Sequence, residues 1–430
     1  MEFKRPRGTR DFLFDEMRER KEVEKILRET FESYAFQEVK TPLFEELELF
    51  TTKSGEEIVD QLYNFKDKSD RNITLRPEIT APIARLYLNE LSMNAKPIKL
   101  YYYGSCFRYE RPQKGRFRQF WQFGCELIGA KSPQGEAEVI SLCNKSLQKL
   151  EINAEIHINN LGIIRGLFQH FQIPDETQTE IITIIDKGDK ELLEKSLIGE
   201  NSIIKDETLS KILLELIDIV GDKNILEKIE TLIKDYPECN EPFQQLKELT
   251  KILDSYNVEN YKLNLAVARG LDYYTGIVFE VYVPELGAQK QVCGGGTYSL
   301  VKLFGGEEVE STGFAFGFDR LVNAIKELNI PINTTESYID AYVLPINQQT
   351  YYDAFNIVDT LRNNGIKCEI ELFNRKFKKS LNHANKIKAP YLVIVGKREL
   401  DEGKVTIKNM NTGQQEEVTI ENMAKTIKGE

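Results

Sequence analysis

The sequence predicts an α+β protein in three parts, and three observations support that prediction. Residues 98–129 contain two apolar and aromatic runs on either side of a short basic loop, which indicates two strands. Residues 174–258 repeat apolar positions at helical spacing amid many Glu and Lys, which indicates a helical insertion. After residue 337, strand and helix patterns alternate. We therefore expect a strand-containing domain over residues 1–330, interrupted by the insertion, and a separate α/β domain over residues 338–430.

The individual elements follow from local patterns. Residues 15–36 have the apolar spacing of an amphipathic helix, and "FQEVKTPLFE" then becomes extended at Pro42. Farther along, "GIVFEVYVP" (276–284) is typical of a strand, and "STGFAFGFDRLVNAIKEL" of a strand that runs into a helix. In the second domain, "YIDAYVLPI", "IKCEIEL" and "YLVIVG" alternate with helices, which predicts a mainly parallel sheet.

Composition and charge limit the classes of function. With 430 residues, of which 41% are hydrophobic, the chain can bury the cores of two or three domains. Its formal net charge of -11 repels phosphate on average, which argues against nonspecific coating of nucleic acid. Any polyanionic partner must therefore meet local basic patches.

The cysteines and histidines do not predict a metal site. The six cysteines are dispersed without a C-x-x-C pair, and none of the three histidines has metal-ligand spacing. We expect reduced thiols and no structural zinc or other protein-bound metal. There is no signal-peptide pattern and no apolar run of 18 residues, so we expect no membrane partner and a cytoplasmic location.

A polar cavity floor is predicted on the second strand of residues 98–129. Alternate side chains of a strand share a face. One face carries a cation, an aromatic ring, an amide, a glycine that leaves space and a carboxylate: Arg118, Phe120, Gln122, Gly124 and Glu126. The other face is apolar, and we expect it in the core: Trp121, Phe123, Cys125 and Leu127. A solvated sheet face is the alternative interpretation of the polar set.

The loop between these two strands is rich in cations. They flank a Pro-x-x-Gly turn: Arg108, Arg111, Lys114, Arg116 and Arg118. Guanidinium groups fit phosphate oxygens geometrically. A solvated loop is the alternative, but this loop joins two aromatic-rich strands, which directs its cations toward whatever lies over the sheet.

Three further segments place polar groups at the ends of elements. In "TLRPEIT" a strand ends and a helix starts with Pro77 near its first position, which places Glu78 and Thr80 in the first turn. In "GFAFGFDRL" Arg320 lies in a helix's first turn, where a cation opposes the helix dipole and hints at an anionic ligand. "ARGLDYYTG" places four polar side chains just before a strand: Arg269, Asp272, Tyr273 and Tyr274. Taken singly, each of the three segments also fits a structural role.

Taken together, these motifs resemble those of the histidyl-tRNA synthetases, a family of class II aminoacyl-tRNA synthetases, over nearly the whole chain. "PRGTRDF" resembles the amino-terminal signature, "EVKTPLFE" motif 1, "FRYERPQKGRFRQFWQFGCE" motif 2 and "GFAFGFDRL" motif 3. "LRPE" and "ARGLDYY" are similar to the two signatures of the histidine enzymes. The resemblance implies an α+β catalytic domain with an antiparallel sheet flanked by helices, a helical insertion and a C-terminal α/β anticodon-binding domain.

The resemblance also implies an activity and assigns residues to it. The activity is activation of L-histidine by ATP and Mg²⁺ to histidyl-adenylate, followed by transfer to the 3′ end of tRNA(His). Two arginines are implied to be catalytic: Arg269, and Arg108 on the α-phosphate of ATP. The rest of the nucleotide is assigned to Glu110, Arg116 and Arg320. L-Histidine is assigned to six side chains, with the imidazole on Glu126 and Tyr274: Glu78, Thr80, Gln122, Glu126, Tyr273 and Tyr274.

Two basic regions are candidate contacts for tRNA. The candidate contacts in the motif 2 loop are Arg111, Gln113 and Lys114. Of these, Gln113 is the candidate for recognising an extra 5′ guanylate of the tRNA. In "NRKFKKSLNHANKIK" of the second domain the candidate contacts are Arg375, Lys378 and Lys379, with a solvated helix face as the alternative. The family resemblance also implies a homodimer.

The chain departs from the family pattern at a few positions. "GGGTYS" keeps Tyr298 but has Thr297 and Ser299 where the family often has a charged pair. The sequence therefore does not determine which hydrogen bonds form under the histidine pocket. Motif 3 carries Asp319 where Glu is frequent. Trp121 stands where His is frequent, and its position in the alternation predicts packing in the core.

Three alternatives exist within this fold. The regulatory subunit of ATP phosphoribosyltransferase charges no tRNA, lacks the second domain and usually lacks some of the motif residues. This chain, in contrast, keeps Arg108, Glu126, Arg269 and Arg320. A non-catalytic tRNA-sensing paralogue would be supported by an attached module, and none is recognisable. A prolyl or threonyl enzyme is disfavoured by "ARGLDYY" and "GCELIG".

Overall fold

The structure is a computed structural model that describes residues 3–54, 56–109, 117–199, 202–268, 274–332 and 337–429. The chain forms two compact units, Met1–Ile332 and Asn333–Glu430. In chain order the first unit contains α1 (Phe14–Ser33), β1 (Gln37–Glu38), β2 (Phe44–Glu46), α2 (Glu48–Ser54), β3 (Tyr63–Lys66), β4 (Asn72–Leu75), α3 (Thr80–Leu86), β5 (Ile98–Phe107), β6 (Gln119–Ile128), α4 (Gln134–Lys149), β7 (Glu155–Asn160), α5 (Leu161–His170), α6 (Asp175–Lys187), α7 (Lys190–Leu197), α8 (Glu207–Ile217), β8 (Val220–Gly221), α9 (Leu226–Ile233), α10 (Asn240–Ser255), β9 (Tyr261–Asn264), β10 (Tyr274–Tyr282), β11 (Gln291–Tyr298), α11 (Leu300–Leu303), β12 (Ser311–Gly317) and α12 (Phe318–Glu327).

A large mixed sheet forms the centre of the first unit. Within the described residues its strand order is β1-β5-β6-β12-β11-β10-β7-β9-β8. The run from β5 to β7 is antiparallel throughout, whereas β1 pairs with β5, and β9 with β7, in parallel. The antiparallel sheet implied by the family resemblance is thus confirmed for its centre, and the parallel pairs lie toward the two edges. A small separate sheet has the order β2-β4-β3.

One face of the large sheet is covered by helices. Phe123, Cys125 and Leu127 of β6 are buried in the main core, as the alternation predicts. Helix α1 packs on this face, and its Phe31 ring meets the Phe123 ring edge-on at 4.9 Å between centroids. Helix α4 lies behind β11, where its Cys143 Sγ is 3.8 Å from Cys293 Sγ. The apolar half of each strand therefore fixes which face remains for a site.

The segment between α5 and β9 is mostly helical, with α6 to α10 in succession. Its apolar spacing buries side chains such as Leu209, Leu213 and Leu216 on one face of α8. The short strand β8 pairs antiparallel with β9 and so extends the large sheet at one edge. This strand was not predicted, since two residues are too few for a periodic pattern.

The second unit contains β13 (Ala341–Pro345), α13 (Tyr351–Asn363), β14 (Cys368–Ile370), α14 (Phe377–Lys386), β15 (Tyr391–Val395), α15 (Lys397–Asp401), β16 (Lys404–Asn409), β17 (Gln415–Thr419) and α16 (Met423–Lys428). Its sheet has the order β14-β13-β15-β16-β17. β13 pairs in parallel with β14 and β15, but β16 and β17 add two antiparallel pairings. The α/β assignment is confirmed, while the prediction of a mainly parallel sheet is wrong because the last two strands form a hairpin.

Candidate active site

A small polar cavity of about 90 Å³ lies on the face of the large sheet opposite α4. Strand alternation turns Gln122 and Glu126 of β6 toward it, while Tyr298 of β11 closes another wall. Five residues predicted to bind histidine line this cavity together: Glu78, Thr80, Gln122, Glu126 and Tyr274. The interpretation of the polar side of β6 as a cavity floor, rather than a solvated face, is therefore the one that the structure favours.

Glu126 is the most deeply buried acid of the cavity, with a relative exposure of 1%. The Tyr298 hydroxyl donates to its Oε2 at 2.7 Å, and the Tyr102 hydroxyl donates to its Oε1 at 3.2 Å. Burial raises the pKa of Glu126 to about 7, against hydrogen bonds from Tyr298, Thr80 and Tyr102 that lower it. A carboxyl group so placed changes charge near neutral pH and can accept a hydrogen bond from an N–H group in the cavity.

Glycines make room for this carboxylate. Gly313 of β12 is the cross-strand partner of Glu126, and a Cβ added there would overlap Oε2 of Glu126 and the carbonyl oxygen of Cys125. A Cβ on Gly124 would lie 2.7 Å from the Tyr102 hydroxyl. Any larger residue at either position would displace the groups that hold Glu126.

Glu78 and Thr80 stand at the start of α3, although not as predicted. The helix begins at Thr80, so Pro77 and Glu78 precede it and the prediction of Pro77 near its first position is wrong. The Glu78 side chain instead folds over the helix start, where its Oε2 accepts from Thr80 N at 2.6 Å and its Oε1 from Ala81 N at 3.2 Å. Glu78 thus combines the helix-end role of a carboxylate with a position in the cavity wall.

A larger cavity of about 300 Å³ adjoins the small one. Its lining includes Arg320 in the first turn of α12 and the rings of Phe117, Phe120 and Trp121. Arg108 and Gln122 belong to the walls of both cavities. The Arg108 Nε donates to the Pro77 carbonyl at 3.0 Å, and its guanidinium lies 5.3 Å from the Phe120 ring centroid. Arg108 is therefore held where a ligand spanning both cavities would pass.

Beside this larger cavity, Asp319 accepts hydrogen bonds from three segments that are distant in sequence, which contain Arg10, Arg20 and Trp121. Its Oδ1 accepts from Arg10 Nη2 at 3.0 Å and from Arg20 Nη1 at 2.8 Å, and its Oδ2 accepts from Trp121 N at 2.9 Å. Trp121 packs against the main core as predicted, but it also contributes to the cavity wall, which its position in the alternation did not indicate.

The two unusual residues of "GGGTYS" lie outside the cavity linings. The Thr297 hydroxyl donates to Oε1 of the buried Glu136 on α4, on the far face of the sheet. Ser299 precedes α11. Their difference from the family pattern therefore leaves the hydrogen bonds around Glu126 in place.

Seven predicted site residues lie outside the residues that the structure describes: Glu110, Arg111, Gln113, Lys114, Arg116, Arg269 and Tyr273. Two residues that contact Glu126 were not predicted as site residues, Tyr102 and Tyr298. The available signals were the retention of Tyr298 in the family pattern and the pairing of Tyr102 with Gly124 across β5 and β6. That pairing requires the register of the two strands, which the sequence does not state.

One residue of the predicted basic cluster in the second unit, Arg375, is held in place by the buried Glu371. Arg375 Nη1 donates to Glu371 Oε1 at 3.1 Å, and Glu371 also accepts from Ser380 Oγ at 2.7 Å and Tyr342 Oη at 2.8 Å. Burial raises the pKa of Glu371, but these hydrogen bonds outweigh it and lower the pKa to about 2. Lys378 and Lys379 are exposed on the first turn of α14.

We therefore assign the chain to the class II aminoacyl-tRNA synthetases, because its large sheet is antiparallel at the centre and carries two adjoining polar cavities on one face. The family model described as "Histidyl-tRNA synthetase" matches residues 8–321, and the one described as "Anticodon binding domain" matches residues 340–430. The chain belongs to the histidyl-tRNA synthetase family.

Named relatives and solved structures agree with this family. The chain is 45% identical to the histidine–tRNA ligase of Methanosarcina acetivorans, with 100% of both chains covered, and 43% identical to that of Methanocaldococcus jannaschii, with 98% of both covered. It resembles the crystal structure of histidyl-tRNA synthetase from Nostoc, with a TM-score of 0.80, 25% identity and 100% and 99% of the two chains covered. The apo enzyme from S. aureus gives a TM-score of 0.73 at 28% identity, with 99% and 100% covered.

Among the described residues there is neither a membrane-spanning helix nor a cluster of metal-ligating side chains. No helix there combines the length and apolar character needed to cross a membrane. Within the same ranges, no group of three or more His, Cys, Asp and Glu side chains could hold a metal ion.

Proposed function

We propose that the chain is a histidine–tRNA ligase, which activates L-histidine with ATP and transfers it to the 3′ end of tRNA(His). The observation that carries this proposal is the pair of adjoining cavities. The small one encloses the buried carboxyl of Glu126, the larger one has Arg320 in its wall, and Arg108 and Gln122 belong to both. Such an arrangement fits an amino acid whose carboxylate must meet the α-phosphate of a nucleotide.

In this proposal the small cavity selects histidine by its imidazole. Glu126 and Tyr274 pair with the two ring nitrogens, while Glu78, Thr80 and Gln122 bind the amino group, and Tyr273 belongs to the same pocket. An apolar amino acid would leave the buried carboxyl and phenol without partners, and sites of this type reject such analogues by about 10⁴ to 10⁵. Glu126, at 1% exposure, can gain no compensating hydrogen bond from bulk water.

The larger cavity binds ATP in the orientation that the reaction needs. The histidine carboxylate attacks the α-phosphorus, the bond to the β-phosphate bridging oxygen breaks, and pyrophosphate leaves. Both reactants are anions, so Arg108 at the α-phosphate and Arg320 at the γ-phosphate stabilise charge that grows on the phosphate oxygens. Arg269 is proposed as the second catalytic arginine, with Glu110 and Arg116 also on the nucleotide. Mg²⁺ enters with ATP as part of the substrate.

In the second step a hydroxyl of the 3′-terminal ribose of tRNA attacks the carbonyl carbon of the adenylate, an ester bond forms, the bond to the phosphate oxygen breaks, and AMP leaves. We propose that Arg111, Gln113 and Lys114 contact the acceptor end of the tRNA. Arg375, Lys378 and Lys379 are proposed to contact the anticodon region, where phosphate neutralisation supplies affinity. Arg375 donates to the buried Glu371, which supports a defined position for its guanidinium.

A homodimer is part of the same proposal. The small sheet and the residue before it expose three large apolar side chains, Leu43, Phe44 and Phe65. Their burial against a second copy would be favourable. Sedimentation equilibrium should therefore give twice the chain mass, and Phe44→Asp with Phe65→Asp should shift the equilibrium to monomer. A wild-type monomer at micromolar concentration would overturn this part.

The test of the main proposal is histidine-dependent exchange of labelled pyrophosphate into ATP. We expect exchange with histidine alone among the amino acids, and its loss in Arg269→Ala and Arg108→Ala. Arg398→Ala is the matched control, because Arg398 is an exposed arginine of the second unit. Folded wild-type protein that exchanges with no amino acid would overturn the proposal in favour of a non-catalytic paralogue, and exchange driven by a different amino acid would overturn the assigned specificity.

A further inference from the structure

The amino-terminal segment of residues 4–10, "KRPRGTR", contains four cations and no acid in a chain whose net charge is -11. We call it the basic arm. Lys4, Arg5 and Arg7 are exposed. A cluster of one sign in a chain of the opposite sign produces a local field that attracts a polyanion against the average repulsion.

The basic arm is attached to the base of the motif 2 loop. Arg118 N, just before β6, donates to the Gly8 carbonyl at 2.8 Å. Gly8 adopts a φ of +85°, and a Cβ there would lie 2.7 Å from Cγ of Arg118, so glycine permits this close approach. The arm is therefore a fixed neighbour of the strand end from which the motif 2 loop leaves the sheet.

A second attachment holds the arm at the rim of the larger cavity. Arg10 donates to Asp319 at 3.0 Å, and its guanidinium lies 3.9 Å from the Phe117 ring centroid. Asp319 and Phe117 line that cavity, whereas no residue of the arm does. Arg10 is thus used for attachment, while Arg5 and Arg7 are exposed and take no part in the cavity walls.

The cations of the arm can exchange their present contacts for phosphate. Arg5 is 3.8 Å from Asp11, but both side chains are exposed, at 59% and 76%, and such a pair contributes only about 0 to 1 kcal/mol. An exposed ring lies on the same loop base: Tyr109 is 53% exposed, with the Arg118 guanidinium 4.1 Å from its centroid. Cations beside an aromatic ring are the usual components of a surface for single-stranded nucleic acid.

We propose that the basic arm binds the phosphates of the acceptor end of tRNA as its 3′ terminus approaches the adenylate, with Arg5 and Arg7 as the phosphate contacts. This inference rests on the proposed function, since it requires that an RNA end reaches the two cavities. The arm, together with Tyr109, forms a binding surface for RNA that is separate from the walls that hold ATP and histidine.

The test compares Arg5→Ala/Arg7→Ala with the control Lys145→Ala/Lys149→Ala. The control removes the same charge from exposed positions of α4, on the other face of the sheet. Binding of tRNA(His) is measured by fluorescence titration across a range of salt concentrations. In the arm variant we expect Kd to rise by about fivefold or more and the slope of log Kd against log salt to fall by about 2, one for each phosphate contact.

Pyrophosphate exchange, which contains no tRNA, separates this inference from the proposed function. We expect both double variants to keep the wild-type exchange rate, which also shows that they are folded. An arm variant with intact exchange and the same Kd and salt slope as the control would overturn the inference while leaving the ligase proposal in place. Absence of exchange in the wild type would overturn the ligase proposal itself.

Discussion

The Tyr298 hydroxyl donates a hydrogen bond of 2.7 Å to Oε2 of Glu126, although strand β12 lies between the strands that carry the two residues. Burial raises the pKa of the Tyr298 phenol well above its usual value, so this group remains a protonated donor. With Tyr102 donating to the other oxygen, the carboxyl plane is fixed from two sides. An ionised carboxylate can accept further hydrogen bonds, which leaves it able to receive an N–H group from a ligand.

Glu126→Gln should remove a pH dependence of stability. The folded pKa of Glu126, about 7, lies above its usual 4.5, so between these values the folded chain keeps a proton that the unfolded chain has released. The resulting stability is complete below the unfolded pKa and is lost as pH rises through the folded pKa. Between about pH 5 and about pH 8, we expect the unfolding free energy of wild type to fall by about 3 kcal/mol relative to Glu126→Gln.

Urea unfolding followed through Trp121, the only tryptophan of the chain, measures this difference. An equal pH dependence in the two proteins would show that Glu126 titrates normally in the fold. The variant should also lose histidine-dependent exchange by about 10²-fold or more, because the charged acceptor for the imidazole is gone.

Tyr298→Phe should move the pH profile of histidine activation. Burial raises the pKa of Glu126, and the hydrogen bond from Tyr298 lowers it, so removing this donor raises the pKa further. Because the proposal has the ionised carboxylate accept the imidazole N–H, we expect the rising limb of kcat/KM for histidine near neutral pH to shift to higher pH. Tyr256→Phe is the matched control, since it removes a tyrosine–glutamate hydrogen bond of 2.6 Å, and neither Tyr256 nor its partner Glu138 lines the cavity. A profile that moves equally in both variants would argue against this role of Tyr298.

Gly313→Ala should damage both packing and histidine activation. The added Cβ meets a backbone carbonyl oxygen as well as the Glu126 carboxylate, and a backbone atom cannot turn away as a side chain can. Overpacking of this kind costs about 1 to 3 kcal/mol. Gly276→Ala provides the comparison, because a Cβ there has its nearest neighbour, Thr297 Cβ, at 3.4 Å. Wild-type KM for histidine in Gly313→Ala would mean that the strands adjust without moving Glu126.

Asp319→Asn should destabilise the first unit. It removes the charge opposite Arg20, in a pair whose side chains are only 3% and 6% exposed. Breaking a buried pair costs about 3 to 5 kcal/mol because one charge is left without a partner. Asp401→Asn removes one member of a pair exposed at 57% and 60%, for which we expect less than about 1 kcal/mol. Trp121 fluorescence reports the first variant directly, since Asp319 also accepts from the Trp121 backbone N–H.

Glu371→Gln should weaken tRNA binding without changing pyrophosphate exchange. The substitution removes the charge that holds the Arg375 guanidinium, and exchange needs neither residue. In wild type the pKa of Glu371 is lowered to about 2 from 4.5, so the stability it contributes is present above the unfolded pKa and lost as pH falls toward 2. Glu369→Gln is the control, as Glu369 accepts from the exposed Tyr338. Unchanged affinity for tRNA in Glu371→Gln would argue against Arg375 as a contact.

The sequence was most informative where side-chain alternation was regular. Strands β5, β6 and β10 and the transition from β12 to α12 were predicted, because each has apolar residues at the spacing that its core face requires. Strand β11 was not, because "QVCGGGTY" contains three glycines, which are disfavoured in strands and carry no side chain to alternate. Two of them, Gly295 and Gly296, lie where a Cβ would meet the backbone of the neighbouring strands β12 and β10, a requirement that exists only in the assembled sheet.

The candidate site was predictable to the extent that it depends on one strand or one helix end. Gln122 and Glu126 follow from alternation, and Arg320 from its place at the start of α12. The contact of Tyr102 with Glu126 depends on the pairing register of β5 and β6, and the helix start at Thr80 on how Glu78 folds over it. Both are tertiary features that local patterns do not encode.

Strand β12 is the last strand of the large sheet to leave the ribosome, yet it lies between β6 and β11. Until residues 311–317 have been synthesised, the β5–β6 pair and the β10–β11 pair each present an unpaired edge. Glu126 and Tyr298 are carried by these two separate pairs, so their hydrogen bond forms only when β12 joins them. A nascent chain stopped short of β12 is thus both aggregation-prone and unable to retain an amino acid, and translation must almost complete the first domain before any part of its specificity exists.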